Sequence, residues 1–222
     1  LIGGAVRYDE YDDSGGETTW RVSARADLTE GLALRGAIGT AFRAPSLQQQ
    51  NFSAVQGALS AGQLVSVATL PVSDPIARAL GAGDLRPERS RNYSAGIVLE
   101  PTPRLAFTLD AFHIQIDDRI ALSEQLRGAA VNAILAGAGI VGFSQVRFFT
   151  NAVDTRTTGV EATARWSASL SPETRASMDV GFALYDTELE SLRANPVLPT
   201  LPLLGEKSIL FLTEAQPRDK LT

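Results

Sequence analysis

The sequence predicts an all-β fold: a transmembrane antiparallel β-barrel, with about eight strands in this chain. Two observations lead to this prediction. Apolar residues alternate with small, polar or charged residues in successive segments, which is the period of a pleated strand. Very short turns alternate with very long connections between these segments, an asymmetry typical of outer-membrane barrels. The apolar faces are therefore expected to contact lipid, and the polar faces to line a lumen.

The clearest predicted strand follows Thr158. Its apolar positions Val160, Ala162 and Ala164 alternate with polar or charged positions such as Glu161. About eleven residues of strand suit a tilted bilayer crossing. This segment therefore has one face for hydrocarbon and one for water.

The remaining strands repeat the pattern along the chain. Together with the segment after Thr158, the predicted strands cover residues 1–11, 20–28, 32–43, 92–100, 104–116, 158–168, 178–185 and 207–213. Short turns containing Gly or Pro join them as hairpins. Long connections are predicted near 44–88, 118–155 and 186–206, and within the second of these the Ala-rich stretch 123–137 predicts a short helix. In the fifth strand the apolar phase slips after Ala111, which predicts a bulge or the exit of the strand from the membrane.

Composition excludes several other classes. No apolar run reaches the roughly 18 to 20 residues of a membrane-spanning helix. A net charge of −5 gives no electrostatic footprint for nucleic acid. With no cysteine and one histidine, thiolate and multi-histidine metal sites are not expected, and no cofactor is implied. The chain begins at Leu1 without a recognisable signal segment, so we expect it to be a piece of a longer protein.

Enzymatic activity is not expected from the residues. The histidine, His113, lies near Asp110 and Asp117 in the sequence, but no Gly-x-Ser-x-Gly element supplies a nucleophile. We therefore interpret His113 as an interfacial or packing residue. Asp117 and Asp118 are adjacent in a strand and should point to opposite faces, which makes a poor cation cage.

Four junctions between loops and strands carry recognisable motifs. These are Thr40-Ala41-Phe42-Arg43-Ala44-Pro45-Ser46, Leu85-Arg86-Pro87-Glu88-Arg89-Ser90-Arg91-Asn92 continuing to Gly96, the segment Phe107 to Ile120, and Asn151 through Gly159 and Glu161. In this order and spacing they resemble the junctions of TonB-dependent outer-membrane receptors, the iron-complex and vitamin importers of Gram-negative bacteria. The resemblance covers most of the chain.

The resemblance implies a barrel of the 22-stranded, plugged kind, of which residues 1–222 would be a part without the plug domain. It implies a location in the outer membrane and the import of a scarce ligand, such as a ferric siderophore. The implied partners are outer-membrane lipid, the extracellular ligand and TonB, which would act through a plug that this chain lacks. Ligand contacts are expected in the three long connections.

Inward charges are the candidate contacts to the lumen or to a plug. The charged positions expected on the polar faces are Arg21, Arg25, Arg35, Arg43, Asp110, Glu161, Arg165 and Asp179. The best candidates for plug or lumen contacts are Arg43, Glu161, Arg35 and Arg165. The family motif positions are Phe42, Pro45, Pro87, Glu88, Asn151 and Gly159. Aromatic residues near strand ends fit interfacial girdles, namely Tyr8, Tyr11, Trp20, Phe42, Trp166 and Tyr185.

Two alternatives stay open at the level of the sequence. A self-contained small outer-membrane barrel, acting as an adhesin or a passive pore, fits the strand count and predicts that the first and last strands pair. A soluble β-sandwich fits the composition, but it would bury the apolar faces in a core instead of leaving them as a continuous outer band.

Overall fold

The computed structural model describes residues 1–60, 62–139, 145–171, 173–215 and 217–222. In chain order the strands are β1 (Ile2–Tyr11), β2 (Gly15–Thr29), β3 (Leu32–Arg43), β4 (Ala54–Ser60), β5 (Gln63–Thr69), β6 (Glu88–Thr102), β7 (Leu105–Leu122), β8 (Gln145–Arg147), β9 (Phe149–Ser169), β10 (Arg175–Leu192) and β11 (Asp219–Leu221). The helices are α1 (Leu47–Asn51), α2 (Pro75–Ala79), α3 (Ala129–Gly137) and α4 (Glu206–Glu214).

Eight of these strands form one antiparallel sheet, which we call the wall. Its order is β1-β2-β3-β6-β7-β9-β10-β11, so neighbours in the sheet are consecutive wall strands in the chain. β1 and β11 are its two edges. The wall therefore confirms the predicted partial antiparallel barrel. Among the residues that the structure describes, β1 and β11 do not pair, as the first and last strands of a self-closed small barrel would.

One face of the wall is apolar from edge to edge. Opposed residues share a face, and one such row runs from Leu34 through Ile97 and Leu109 to Ala162 and Phe182. Large side chains on this face are exposed; Leu109, for example, is 49% accessible. The exposed apolar band is what alternation predicts for strands whose outer side meets hydrocarbon.

The height of the band fits a membrane. On β9 it extends from about Thr158 to Ala168. At about 3.3 Å per residue and a tilt of about 40°, that length of strand spans about 25 Å, the height of the apolar band of outer-membrane barrels. The apolar part of β9 is thus long enough to cross the hydrocarbon layer of an outer membrane.

The strand predicted over 207–213 is wrong, because this segment is helix α4. The segment has four consecutive apolar residues and no alternation. In a helix, Ile209 and Leu212 lie three residues apart on one side, where both pack against the buried core. The helix start is held by Glu124, whose Oε1 accepts hydrogen bonds from Gly205 N at 3.1 Å and Ser208 Oγ at 3.0 Å. The eighth wall strand is instead the short β11.

Two wall strands are longer than their apolar alternation indicated. β7 continues to Leu122 and β9 begins at Phe149, so the connection between them covers 123–148. The apolar phase slip in the fifth strand precedes a break in the pairing with β9, between Ile116 and Arg119. Asp118 at this break has φ 58°, in the left-handed region. Residues 140–144 of the connection lie outside the described residues.

The buried core lies mainly in the long connections and includes Ala152 and Val153 at the start of β9. We call connections 44–87, 123–148 and 193–205 together the cap. A second sheet, β4-β5-β8, joins the first two connections, with β5 and β8 parallel. The core residues include the fully buried Leu80, Val131, Val146 and Phe148. Helix α3 in the cap is the short helix predicted within 123–137, and it buries Val131 and Leu135.

Candidate functional site: the polar face and the rim of the wall

The polar face carries a row of charges built by strand register. Arg35, Gly96, Asp110 and Glu161 are successive partners across β3, β6, β7 and β9. Arg35 reaches across Gly96 to Asp110 with a two-point contact, Nε to Oδ1 at 2.7 Å and Nη2 to Oδ2. Together with Arg25, the pair lines a hollow of about 530 Å³ on this face. Two oppositely charged side chains separated by a whole strand are thus neutralised within the wall.

Gly96 makes this pair possible. A Cβ at position 96 would lie 2.0 Å from Asp110 Oδ1 and 3.0 Å from Leu109 O. Any side chain there would displace the carboxylate that Arg35 binds. The glycine that ends the second motif therefore has a specific packing role, which its position in the sequence alone did not indicate.

Arg165 is also paired within the wall. Its Nε donates to Asp179 Oδ1 at 2.5 Å, between neighbouring strands β9 and β10. Both side chains are largely exposed, at 75% and 60%. The pair is therefore a solvated contact of small energetic weight.

Glu161 differs from the other three candidates. In the part of the chain that the structure describes, no hydrogen bond or ion pair of its carboxylate is found, and the residue is exposed. Its neighbours in the row are Asp110, which Arg35 already neutralises, and Ala183. Glu161 thus presents a free negative charge on the polar face.

At the rim, Arg43 and Glu88 form a two-point ion pair across β3 and β6. The distances are 2.8 Å from Nε to Oε2 and 2.5 Å from Nη2 to Oε1. Glu88 is only 7% exposed, and its Oε1 also accepts the backbone N–H of Ile120 at 2.7 Å. Glu88 therefore ties three strands together where the β6–β7 ladder has already ended at Asp117.

Asn151 performs a similar task for the end of the first connection. Its Oδ1 accepts Arg86 N at 2.8 Å, and its Nδ2 donates to Arg86 O at 2.9 Å and to Asp118 O at 2.6 Å. The side-chain amide of Asn151 thus makes to Arg86 the two hydrogen bonds that the backbone of a neighbouring strand would make. Pro87, which follows, is buried and has no N–H to satisfy.

The first motif shapes the exit from β3. Phe42 packs edge-to-face on Tyr11, with ring centroids 5.8 Å apart. Pro45 is buried, and its carbonyl accepts Gln50 Nε2 at 3.2 Å. The same Nε2 donates to Asp13 Oδ2 at 2.5 Å, and this hydrogen bond lowers the pKa of the Asp13 carboxyl below its ordinary value. The β1–β2 turn is thereby joined to the first connection.

Gly159 lies beneath an aromatic contact on the polar face. A Cβ there would lie 2.5 Å from Phe112 Cζ and 2.7 Å from Tyr185 Cβ. Tyr185, opposite Gly159, is therefore on the polar face and does not belong to an outward girdle. Tyr8, Trp20 and Trp166 remain exposed. Strand register, not residue type, decides which aromatic residues can meet lipid.

His113 lies at the upper edge of the apolar face. It opposes Tyr93, with ring centroids 6.0 Å apart, and its Nδ1 is 3.1 Å from Thr158 Oγ1. Over the described ranges, no cluster of three or more His, Cys, Asp or Glu residues could hold a metal ion. Over the same ranges, none of the helices combines the length and apolar character needed to cross a membrane.

Comparison with known proteins identifies the family of this chain. The model of the family described as TonB dependent receptor-like, beta-barrel matches residues 1–203. The chain belongs to this family.

Solved structures share the fold at low sequence identity. The siderophore receptor PirA from Pseudomonas aeruginosa is 17% identical, with a TM-score of 0.57, over 86% of this chain and 34% of that one. A mutant of the ferric enterobactin receptor PfeA from Pseudomonas aeruginosa, in complex with enterobactin, is 18% identical, with a TM-score of 0.59, over 99% and 27%. The RagAB peptide importer is 14% identical, with a TM-score of 0.55, over 86% and 20%. The chain therefore spans about a third or less of these structures.

Proposed function

We propose that this chain is part of a TonB-dependent receptor in the outer membrane of a Gram-negative bacterium, and that the receptor imports a scarce ligand such as a ferric siderophore. The observation that carries the proposal is the architecture of the wall. One face is apolar over the height of a bilayer, the other carries charges, and one end bears a packed cap. Family membership and the fold shared with two siderophore receptors support the same function.

The apolar face would contact outer-membrane lipid. Lipid cannot satisfy the unpaired backbone groups of an open strand edge. We therefore infer that further strands adjoin β1 and β11 in the native polypeptide and close a barrel of the 22-stranded kind. The open order of the wall supports this arrangement over a self-closed adhesin or pore.

The cap would face the exterior and contribute to ligand capture. Its connections hold their own hydrophobic core, so the surfaces they present are shaped in advance of binding. Preorganised surfaces lose less conformational entropy on association. The cap is accordingly the region of this chain where we place ligand contacts, in the connections predicted near 44–88, 118–155 and 186–206.

The polar face would contact the plug, through which TonB acts. Arg35, Arg43 and Arg165 have acidic partners within the wall, so each is already neutralised. Glu161 has a free carboxylate among the described contacts and a position on the polar face. Glu161 is therefore the residue we propose for a contact with a basic plug side chain, whereas the three arginines maintain the wall. We infer no catalytic role for this segment.

Uptake by intact cells tests the proposed function. Cells lacking the gene, with and without a plasmid copy, would be given radiolabelled ferric siderophores, including ferric enterobactin, under iron limitation. We expect uptake of at least one complex to require the gene, and to be lost when TonB is deleted. The proposal would be contradicted if uptake of every complex in the panel stayed the same after loss of the gene for this chain and after loss of TonB.

A matched pair of variants connects uptake to the site. Glu161→Gln removes the free charge with almost no change in shape and should reduce uptake. Glu30→Gln removes an exposed carboxylate in the turn between β2 and β3, at the end of the wall away from the cap, and should leave uptake unchanged. Equal amounts of both variants in the membrane would make the comparison valid. Full uptake by the Glu161→Gln variant would exclude the proposed plug contact.

A further inference from the structure

The cap is tied together by direct hydrogen bonds between its connections as well as by its core. Each of these bonds joins two different connections, and each involves a backbone group. They are Leu70 N to Arg147 O at 3.0 Å, Asn195 Nδ2 to Leu80 O at 2.8 Å, and Glu124 N to Leu203 O at 2.8 Å. Each pair of the three connections is therefore joined by at least one hydrogen bond, so we treat the described part of the cap as one packed unit.

Gly81 shows how closely two of these connections approach. Its φ is 100°, and a Cβ would lie 2.5 Å from Asn195 Oδ1. Asn195 is 1% exposed, and its Oδ1 also accepts Val197 N and Leu198 N, each at 2.9 Å. The buried Asn195 amide is hydrogen-bonded to both the first and the third connection. Moving these two connections apart would leave buried polar groups without partners, which is unfavourable.

The cap joins the wall at Asp118. This carboxylate, whose side chain is 13% exposed, accepts a hydrogen bond from Arg86 Nη2 at 2.8 Å and forms an ion pair with Arg193 Nη1 at 2.5 Å. Arg86 lies at the end of the first connection, and Arg193 at the beginning of the third. One wall carboxylate therefore holds the bases of two connections that are distant in sequence.

The backbone of Asp118 is held as firmly as its side chain. Its N–H donates to Asp154 Oδ1 at 2.8 Å, and its carbonyl accepts Asn151 Nδ2 at 2.6 Å. The left-handed φ of 58° lies at the break in the β7–β9 pairing. Asp is among the few residues other than Gly that adopt this conformation readily. The bulge thus aims one carboxylate at both arginines.

We propose that Asp118 is a latch that fixes the orientation of the cap on the wall, so that releasing it weakens the attachment of the first and third connections together. Their bases keep hydrogen bonds to Asn151 and Ala152, which then open more often. A shared carboxylate makes the two ion pairs interdependent, while the hydrogen bonds and core within the cap keep the cap itself intact. The latch deepens the proposed function, because it would regulate access to the same ligand-binding end. Its geometry stands independently of which ligand is bound.

Hydrogen exchange on the purified, ligand-free native polypeptide in detergent tests the latch. The reporters are Arg86 N, bonded to Asn151 Oδ1, and Arg193 N, bonded to Ala152 O at 2.9 Å. Asp118→Asn keeps the size and the tolerated φ but removes the charge. We expect exchange at both reporters to rise together by about 10-fold, the change that corresponds to losing one charge-assisted hydrogen bond.

The matched control is Asp84→Asn, which removes the pair between Asp84 and Arg78 inside one connection. Neither reporter should respond to it. If Asp118→Asn does not assemble, Arg193→Gln replaces it. Exchange at Arg86 should then rise, although in the part of the chain that the structure describes no bond joins Arg193 to Arg86.

Three results would overturn the latch: a response at only one reporter, no response at either, or an equal rise inside the cap at 145–148. The readout needs neither ligand nor TonB. A failed latch would therefore leave the proposed transport function standing, and a failed uptake experiment would leave the latch testable.

Discussion

Substitution of Glu88 tests how the rim holds three strands together. Glu88→Ala removes the acceptor of Ile120 N and the partner of Arg43. Leaving a buried N–H without an acceptor costs about 2 kcal/mol. The loss of Arg43 as a partner adds little, because its side chain is 61% exposed. The local free energy of opening at Ile120 should thus fall by about 2 kcal/mol, mostly through one backbone group.

The assay is amide hydrogen exchange at 118–122 in the native polypeptide. A loss of about 2 kcal/mol accelerates exchange about 30-fold. Glu88→Gln keeps an oxygen acceptor but loses the charge, so about 1 kcal/mol and an acceleration of about 5-fold are expected.

Arg43→Ala leaves the bond to Ile120 intact and separates the two contributions. It should accelerate exchange about 5-fold or less, the range expected for an exposed ion pair. Exchange in Glu88→Ala that matches the unmodified protein would refute the role of Glu88. So would an effect of Arg43→Ala as large as that of Glu88→Ala.

Two further substitutions test the wall and the cap. Gly96→Ala should displace Asp110, break its pair with Arg35 and lower the thermal unfolding midpoint of the barrel, whereas Gly83→Ala, where a Cβ meets nothing within 4 Å, should not. Equal midpoints for the two variants would contradict the packing role of Gly96. Phe148→Ala should cost the cap about 3–5 kcal/mol, because the ring is completely buried. Limited proteolysis should then cleave the cap while the wall strands stay protected, and a cap as resistant as before would count against this core.

The wall could be predicted because its physics is local. Two-residue alternation places every second side chain on the lipid side, so segments such as 32–43 are recognisable without knowledge of their neighbours. The family motifs then marked where strands meet long connections. Segment 207–213 misled the prediction because a short apolar run suits a strand or a helix, and the choice depended on a core that lies elsewhere in the chain.

The cap and the partners of the charges could not be predicted from the sequence. Arg35 meets Asp110 only because β3, β6 and β7 are neighbours in register, and no local pattern connects residues 75 positions apart. The buried core of the cap combines apolar residues from three connections, and no single connection shows which residues of the other two it will meet. The run 63–69, rich in β-branched residues, was the available signal for a strand inside the first connection.

The roles of the motif residues also emerged only from contacts. Glu88 and Asn151 were identified as motif positions, but their function as substitutes for missing ladder partners depends on where β6 and β9 end. In the sequence Asp118 is one of two adjacent acidic residues near the end of the third motif, and nothing local indicates its two arginine partners. The break in pairing that turns Asp118 toward two arginines is a property of the sheet, and the phase slip after Ala111 is the only sign of it in the sequence.

The most direct test of the central claim is the size and location of the native polypeptide that carries this chain. An antibody against residues 123–139 would be applied to outer-membrane and soluble fractions of the native cells. The proposed receptor predicts an outer-membrane product of about three times 23.6 kDa or more, since the chain covers 34% of PirA and 27% of PfeA. A product near 23.6 kDa, or one in the soluble fraction, would contradict it.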